Sequence, residues 1–139
     1  SKYGDDDNPA WKDREFVKLA LKLGDDGAML SGGFQGDREL VLMYIELYGH
    51  PNWPGPALQM ADEALRADRD IVLAAVLKNG PNLEWAAEPL RADRGVVLTA
   101  VTNDGRALEF ASEQLKADKH VRAVAKTNLA TPPAKRARR

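Results

Sequence analysis

One phrase recurs five times along the chain and limits what the chain can fold into. An aspartate, followed by arginine in four copies and by lysine in the fifth, opens an apolar run. The copies begin at Asp13, Asp37, Asp68, Asp93 and Asp118. The intervals between them are 24, 31, 25 and 25 residues, and such self-similarity is typical of a stack of one small structural unit. We therefore expect a repeat domain over residues 13–125, an arm at 1–12 and a basic tail at 126–139.

The third copy indicates the structure of one unit. Asp68 stands where an N-cap belongs, because its carboxylate can accept hydrogen bonds from the first helical turn. The run IVLAAVL that follows is apolar nearly all round, which is typical of a helix buried on several sides. Asn79-Gly80 ends this helix, and glycine suits the left-handed conformation that often follows one. In the second half, NLEWAAEPLRA, apolar residues recur at the spacing of a shorter amphipathic helix.

The predicted fold class is therefore all-α, a short solenoid-like stack of about five helical hairpin repeats of roughly 25 residues. No apolar run approaches the roughly 20 residues that a bilayer-spanning helix needs. The phrases DRDIVLAAVLKNG with LEWAAEPLRAD, and DRGVVLTAVTNDG with ALEFASEQLKAD, resemble the DUF4116 family of repeats. The resemblance implies a helical repeat and carries no catalytic residues with it.

The charge of the chain is unevenly distributed. All 21 acidic residues and 15 of the 20 basic residues lie within residues 1–125, so the body is acidic. The other five basic residues lie in the tail. The chain has no cysteine, which excludes disulfides and thiolate metal sites.

The recurring aspartates are spread one to a unit, so we interpret them as helix caps rather than as a cluster around one substrate. The arginines that follow four of them are expected to pair with acids of adjacent units, or alternatively to line a face for an anionic partner. These arginines are Arg14, Arg38, Arg69 and Arg94. Trp85 and Phe110 share one repeat position, and we expect them to pack between units, with a stacking platform for bases or pigments as the alternative.

Two departures from the repeat are candidate binding features. The insertion HPNWPGP lengthens the second unit, and its tryptophan either folds back over the helix ends or projects as an aromatic anchor for a partner. The tail KRARR is either solvated or contacts an acidic surface or phosphates. The candidate partner-binding residues are therefore Trp53, His50, Lys135, Arg136, Arg138 and Arg139.

Other departures predict local structure. The glycine-rich stretch DDGAMLSGGFQG predicts a short helix around residues 28–30 and does not match a phosphate-binding loop. Pro89 is expected to kink or shorten the second helix of its unit. His50 and His120, the two histidines, share no sequence context, although a lone axial bond to a haem or chlorophyll stays open. No catalytic motif is present, so we expect no catalytic residue, metal site or cofactor.

The predicted function is that of a non-enzymatic helical-repeat scaffold, which mediates protein–protein interaction or serves as an accessory subunit of a larger assembly. One alternative is a nucleic-acid-associated accessory protein that binds through its basic tail. Another is a pigment- or haem-associated structural subunit. The weakened end units predict either a piece of a longer array or a chain whose ends a partner covers.

Overall fold

The computed structural model of the protein describes residues 13–52 and 56–130, which form helices joined by short turns. The α-helices are α1 (Arg14–Lys22), α2 (Gly27–Ser31), α3 (Arg38–Tyr48), α4 (Glu63–Arg66), α5 (Arg69–Lys78), α6 (Glu88–Arg91), α7 (Arg94–Asn103), α8 (Glu113–Lys116) and α9 (Lys119–Ala130). The 3-10 helices are Ala57–Met60, Gly80–Trp85 and Gly105–Phe110. No strand occurs within the described ranges, and the predicted all-α repeat stack is confirmed.

The first helix of each unit is packed between its neighbours. In unit 3, which begins at Asp68, α5 packs on α3 of the preceding unit and on α7 of the following one. Its Ile71 and Val72, the third and fourth residues after the cap, are both fully buried. The third position faces backward in the stack, because Val121 of unit 5 is buried against unit 4 alone. The fourth faces forward, because Val17 of unit 1 is buried towards unit 2.

The second half of each unit differs from the single amphipathic helix that we predicted. In unit 3 it consists of the 3-10 helix Gly80–Trp85, an extended link at Ala86 and Ala87, and the single turn of α6. The link bonds to the neighbouring unit, since the N–H of Ala87 donates to the carbonyl of Arg66 at 2.8 Å. A continuous helix would use that N–H internally, so the break provides a hydrogen bond between units.

Pro89 does not kink a longer helix, and that prediction was wrong. It lies in the first turn of α6, where a missing backbone N–H costs no helical hydrogen bond. The same break occurs in unit 4 before α8, which contains no proline. The extended link is therefore a property of the repeat and not a consequence of Pro89.

Gly80, which follows α5, does not adopt the left-handed conformation that we predicted. Among the described residues, only Gly24 and Gly33 have positive φ, at 94° and 75°. Gly24, which follows α1, is therefore left-handed, whereas Gly49, Gly80 and Gly105 do not have positive φ.

Close approach between units explains the later glycines instead. A Cβ on Gly80 would overlap the carbonyl oxygen of Ala100 in the following unit. A Cβ on Gly105 would overlap the carbonyl oxygen of Ala125 in the same way. Because the two contacts are 25 residues apart on both sides, one packing rule recurs from unit to unit.

A buried asparagine joins units 2 and 3. Asn82 is fully buried, and its Oδ1 accepts a hydrogen bond from the N–H of Leu58 at 3.0 Å. Its Nδ2 donates to the carbonyls of Ala75 and Asn79, both at 3.1 Å. The side-chain oxygen and nitrogen are thus both hydrogen-bonded, as a polar group in a core requires.

The two ends of the stack deviate from the central units. The glycine-rich segment contains the short helix α2, as predicted, with Ala28 and Met29 buried. At the other end, α9 continues to Ala130 and so includes the first five residues of the segment predicted as the tail. Unit 5 is thus a single helix packed on unit 4.

The glycine contact predicts opposite effects for two identical substitutions. Gly105→Ala should lower the free energy of unfolding by about 1–3 kcal/mol, because the new methyl group overlaps the Ala125 carbonyl. Gly95→Ala is the control: its Cβ meets only flexible side chains, Arg69 Nη2 at 2.7 Å and Asp93 Oδ1 at 3.3 Å. It should be neutral or stabilising by up to about 1 kcal/mol. Urea denaturation measures both, and equal losses would contradict the proposed contact.

Candidate interaction surfaces

Each cap aspartate holds the first turn of its own helix, as predicted. In unit 4, Asp93 Oδ1 accepts a hydrogen bond from the N–H of Val96 at 3.1 Å. In unit 5, Asp118 Oδ1 accepts from the N–H groups of His120 and Val121 at 2.9 and 3.0 Å. Side-chain caps of this kind satisfy N–H groups that a helix cannot bond internally.

The other carboxylate oxygen of each later cap bonds to the preceding unit. The arginine after one cap donates to Oδ2 of the next, so the ladder of ion pairs runs along the stack. Its members are Arg14–Asp37 at 2.5 Å, Arg38–Asp68 at 3.0 Å, Arg69–Asp93 at 2.8 Å and Arg94–Asp118 at 2.6 Å. The predicted pairing of arginines with acids of adjacent units is confirmed.

The hydrogen bonds at the ladder lower the pKa of the aspartates that accept them. Hydrogen bonds from Arg14, Arg38 and Arg69 lower the pKa of Asp37, Asp68 and Asp93 respectively. For Asp118, the backbone N–H of Val121 lowers the pKa most, and Arg94 adds to the effect. The arginines of the ladder are therefore engaged by the protein itself, which leaves them less available to an anionic partner.

The first unit exposes an apolar row on α1 and at the residue that follows it. Phe16, Leu19 and Leu23 lie on one helical stripe and are 42%, 56% and 77% exposed. Phe16 occupies the backward position, whose equivalents are fully buried in the other units. Those equivalents are Leu40, Ile71, Val96 and Val121. We call Asp13 with this row the N-terminal end face.

The opposite end of the stack is basic. Arg122 and Lys126 of α9 are exposed at forward positions where units 3 and 4 carry buried valines. Lys119, at the ladder position, is also exposed. A groove of about 360 Å³ beside these residues is lined by Leu108 and Leu129. We call this surface the C-terminal end face.

The predicted partner-binding residues are not brought together in the part of the chain that the structure describes. His50 is exposed beside the insertion. Trp53 and the tail residues Lys135, Arg136, Arg138 and Arg139 lie outside the described residues, and their roles stay predictions. His120 is exposed on α9, far along the chain from His50.

The shared aromatic position is internal. Trp85 and Phe110 are partly buried and pack against the core, as expected from packing between units. Within residues 13–52 and 56–130, no three His, Asp or Glu side chains form a group that could hold a metal ion. None of the helices described there is long and apolar enough to cross a membrane.

The sequence analysis did not predict either end face, although the fifth copy indicates the C-terminal one. When the five copies are aligned on their cap aspartates, the fifth has Arg122 and Lys126 where the third and fourth have valine. The first copy has an apolar residue at its backward position, as the other copies do, so its sequence does not indicate an exposed face. Phe16 is exposed because no preceding unit packs on it within the described residues. The N-terminal end face is therefore visible only in the structure of the stack.

The lowered pKa values predict a loss of stability in acid. A carboxyl whose folded pKa lies below the unfolded value, about 3.9, stabilises the fold above that value, and the contribution is lost as the pH falls through the folded pKa. A variant with Asp37→Asn, Asp68→Asn and Asp93→Asn keeps side-chain caps but removes these titrations. Its free energy of unfolding should be lower at pH 7 and fall less between about pH 5 and pH 2 than that of the natural chain. Parallel curves would contradict the ladder's contribution.

Comparison with known proteins identifies the repeat. The chain matches the family described as "Domain of unknown function (DUF4116)" over residues 37–91 and 93–121, together more than half of its length. Neither the curated proteins nor the solved structures provide a match. The first matched segment begins at Asp37 and the second at Asp93, where units 2 and 4 begin, and the chain belongs to the DUF4116 family.

Proposed function

We propose that the protein is a non-enzymatic scaffold whose stack binds a protein partner, and that the N-terminal end face is the principal contact. The observation that supports this proposal is the exposed row of Phe16, Leu19 and Leu23. Large apolar side chains clustered on one surface are typical of protein interaction sites.

The position of the row makes it more informative than scattered surface leucines. Leu77, for example, is 64% exposed on α5 in the middle of the stack, but it is a single residue there. Phe16 and Leu19 on α1 and Leu23 directly after it share one stripe and would all be covered by one docked element. Burying a large apolar side chain contributes about 1.5–3 kcal/mol relative to full exposure, so three half-exposed side chains provide a useful share of a binding energy.

This proposal is tested by matched charge substitutions. Leu19→Glu should weaken partner binding roughly tenfold or more, because a carboxylate would be desolvated at the interface. Leu77→Glu introduces the same change on an equally exposed leucine away from the face and should leave binding unaltered. Capture from native extract identifies the partner, and calorimetry with the purified partner measures both dissociation constants. Equal affinities for Leu19→Glu and the natural chain would refute this site.

A second candidate function is association with nucleic acid through the basic end. The supporting observation is that exposed cations begin on α9, with Lys119, Arg122 and Lys126, and so precede the basic tail in the chain. α9 carries no acidic residue to offset them. Closely spaced exposed cations attract a phosphate backbone, and their affinity depends on salt because binding releases counterions.

Salt dependence distinguishes the two candidates. If α9 contacts phosphates, changing Lys119, Arg122 and Lys126 to glutamine should make the plot of log affinity against log salt shallower by up to about three units of slope for a duplex oligonucleotide. Lys22→Gln on α1 is the control and should leave the slope unchanged. Binding that does not respond to salt would exclude this candidate. Fluorescence anisotropy of a labelled duplex provides the measurement.

A further inference from the structure

We propose that the N-terminal end face takes a helix with the chemistry of a preceding repeat unit, contributed by another polypeptide. Such a helix carries a lysine or arginine in its first turn and apolar residues three and seven positions after that cation. The inference rests on the proposed function and names the partner's chemistry. Two independent features of the end face lead to it, one ionic and one apolar.

The ionic feature is a cap without its ladder partner. Asp37, Asp68, Asp93 and Asp118 each accept an arginine from the preceding unit on Oδ2. Asp13 accepts a hydrogen bond on Oδ1 from the N–H of Glu15 at 2.9 Å, and no lysine or arginine of the described ranges pairs with it. A cation of the docked helix that contacts Asp13 in the way that Arg69 contacts Asp93 would extend the ladder by one ion pair.

The apolar feature is the backward row of α1. In the central units the backward position is buried where the helix packs on the preceding one: α5 packs on α7, and Val72 and Val76 of α5 and Val96 of α7 are all fully buried. Those forward residues lie three and seven positions after Arg69. A helix with the same pattern would bring its cation to Asp13 and its apolar residues to Phe16, which is one geometry for both features.

A second copy of the chain does not have this pattern. Its exposed end helix, α9, offers Lys119 at the ladder position but Arg122 and Lys126 at the forward positions. Docking them on Phe16 would desolvate two cations against an apolar row, which disfavours the contact. Arg122 and Lys126 thus disfavour docking of α9 of one copy on the N-terminal end face of another.

The test converts the chain's own last helix into the proposed partner. Arg122→Val with Lys126→Val reproduces the forward positions of units 3 and 4 and keeps Lys119 for the ladder. Because the resulting contact is head-to-tail, it does not close, and the average mass should rise with concentration instead of stopping at a dimer. Analytical ultracentrifugation measures the mass, and circular dichroism checks that each variant is folded.

Variants of the receiving face determine whether association uses it. Added to the double variant, Leu19→Glu should restore the mass of the natural chain, Asp13→Asn should lower the association constant severalfold, and Leu77→Glu should have no effect. An unassociated double variant would overturn the proposal. So would association that Leu19→Glu does not reverse, because the contact would then be an unspecific one between the new valines.

The proposed function can fail separately. If Leu19→Glu leaves capture of the natural partner unchanged, the end face is not the binding site, whatever the double variant does. If capture is lost with Leu19→Glu but the double variant does not associate, the end face binds a partner of different chemistry. Only loss of capture together with reversible head-to-tail association supports both.

Discussion

The fold depends on one constraint: the first helix of every unit has two apolar rows that the unit itself cannot cover. Ile71 and Val72 in α5 are adjacent in sequence, yet one faces the preceding unit and the other faces the following one. Stability therefore arises mainly at the boundaries between units, as in other one-dimensional repeat proteins. Because of the same constraint, the ends of the stack differ chemically from its middle. The N-terminal end face exposes apolar side chains, whereas the C-terminal end face has cations at the forward positions.

The ion-pair ladder adds direction to this packing. From Asp37 onward, each cap carboxylate bonds through Oδ1 to its own helix and through Oδ2 to the arginine of the unit before it, so the ladder has one direction along the stack. Exposed ion pairs contribute little to stability when considered singly. Their role here is better described as fixing the register between units, because a unit displaced by one residue would lose the ion pair to its neighbour.

Local rules were sufficient to predict the caps, the pairing of the arginines, the short α2 and the all-α stack, because each depends on residues at a fixed spacing. They failed where a neighbouring unit decides the conformation. The break at Ala86 and Ala87 has the same apolar spacing as a helix, and only the bond to Arg66 explains it. Gly80 was predicted to be a left-handed helix terminator, but glycine is required there because a carbonyl of the next unit lies close to it.

The buried amide of Asn82 has a consequence for how the units are ordered. The ladder and the glycine contacts treat the units as interchangeable, so moving a whole unit would preserve both. Asn82 distinguishes unit 3 from its neighbours, because the equivalent positions 57 and 107 are alanines. Its side-chain oxygen accepts the hydrogen bond from the N–H of Leu58. A buried polar residue can fix the alignment of otherwise similar helices. Asn82 thus makes the boundary between units 2 and 3 chemically distinct: with alanine at position 82, as at 57 and 107, the N–H of Leu58 would lose this buried acceptor.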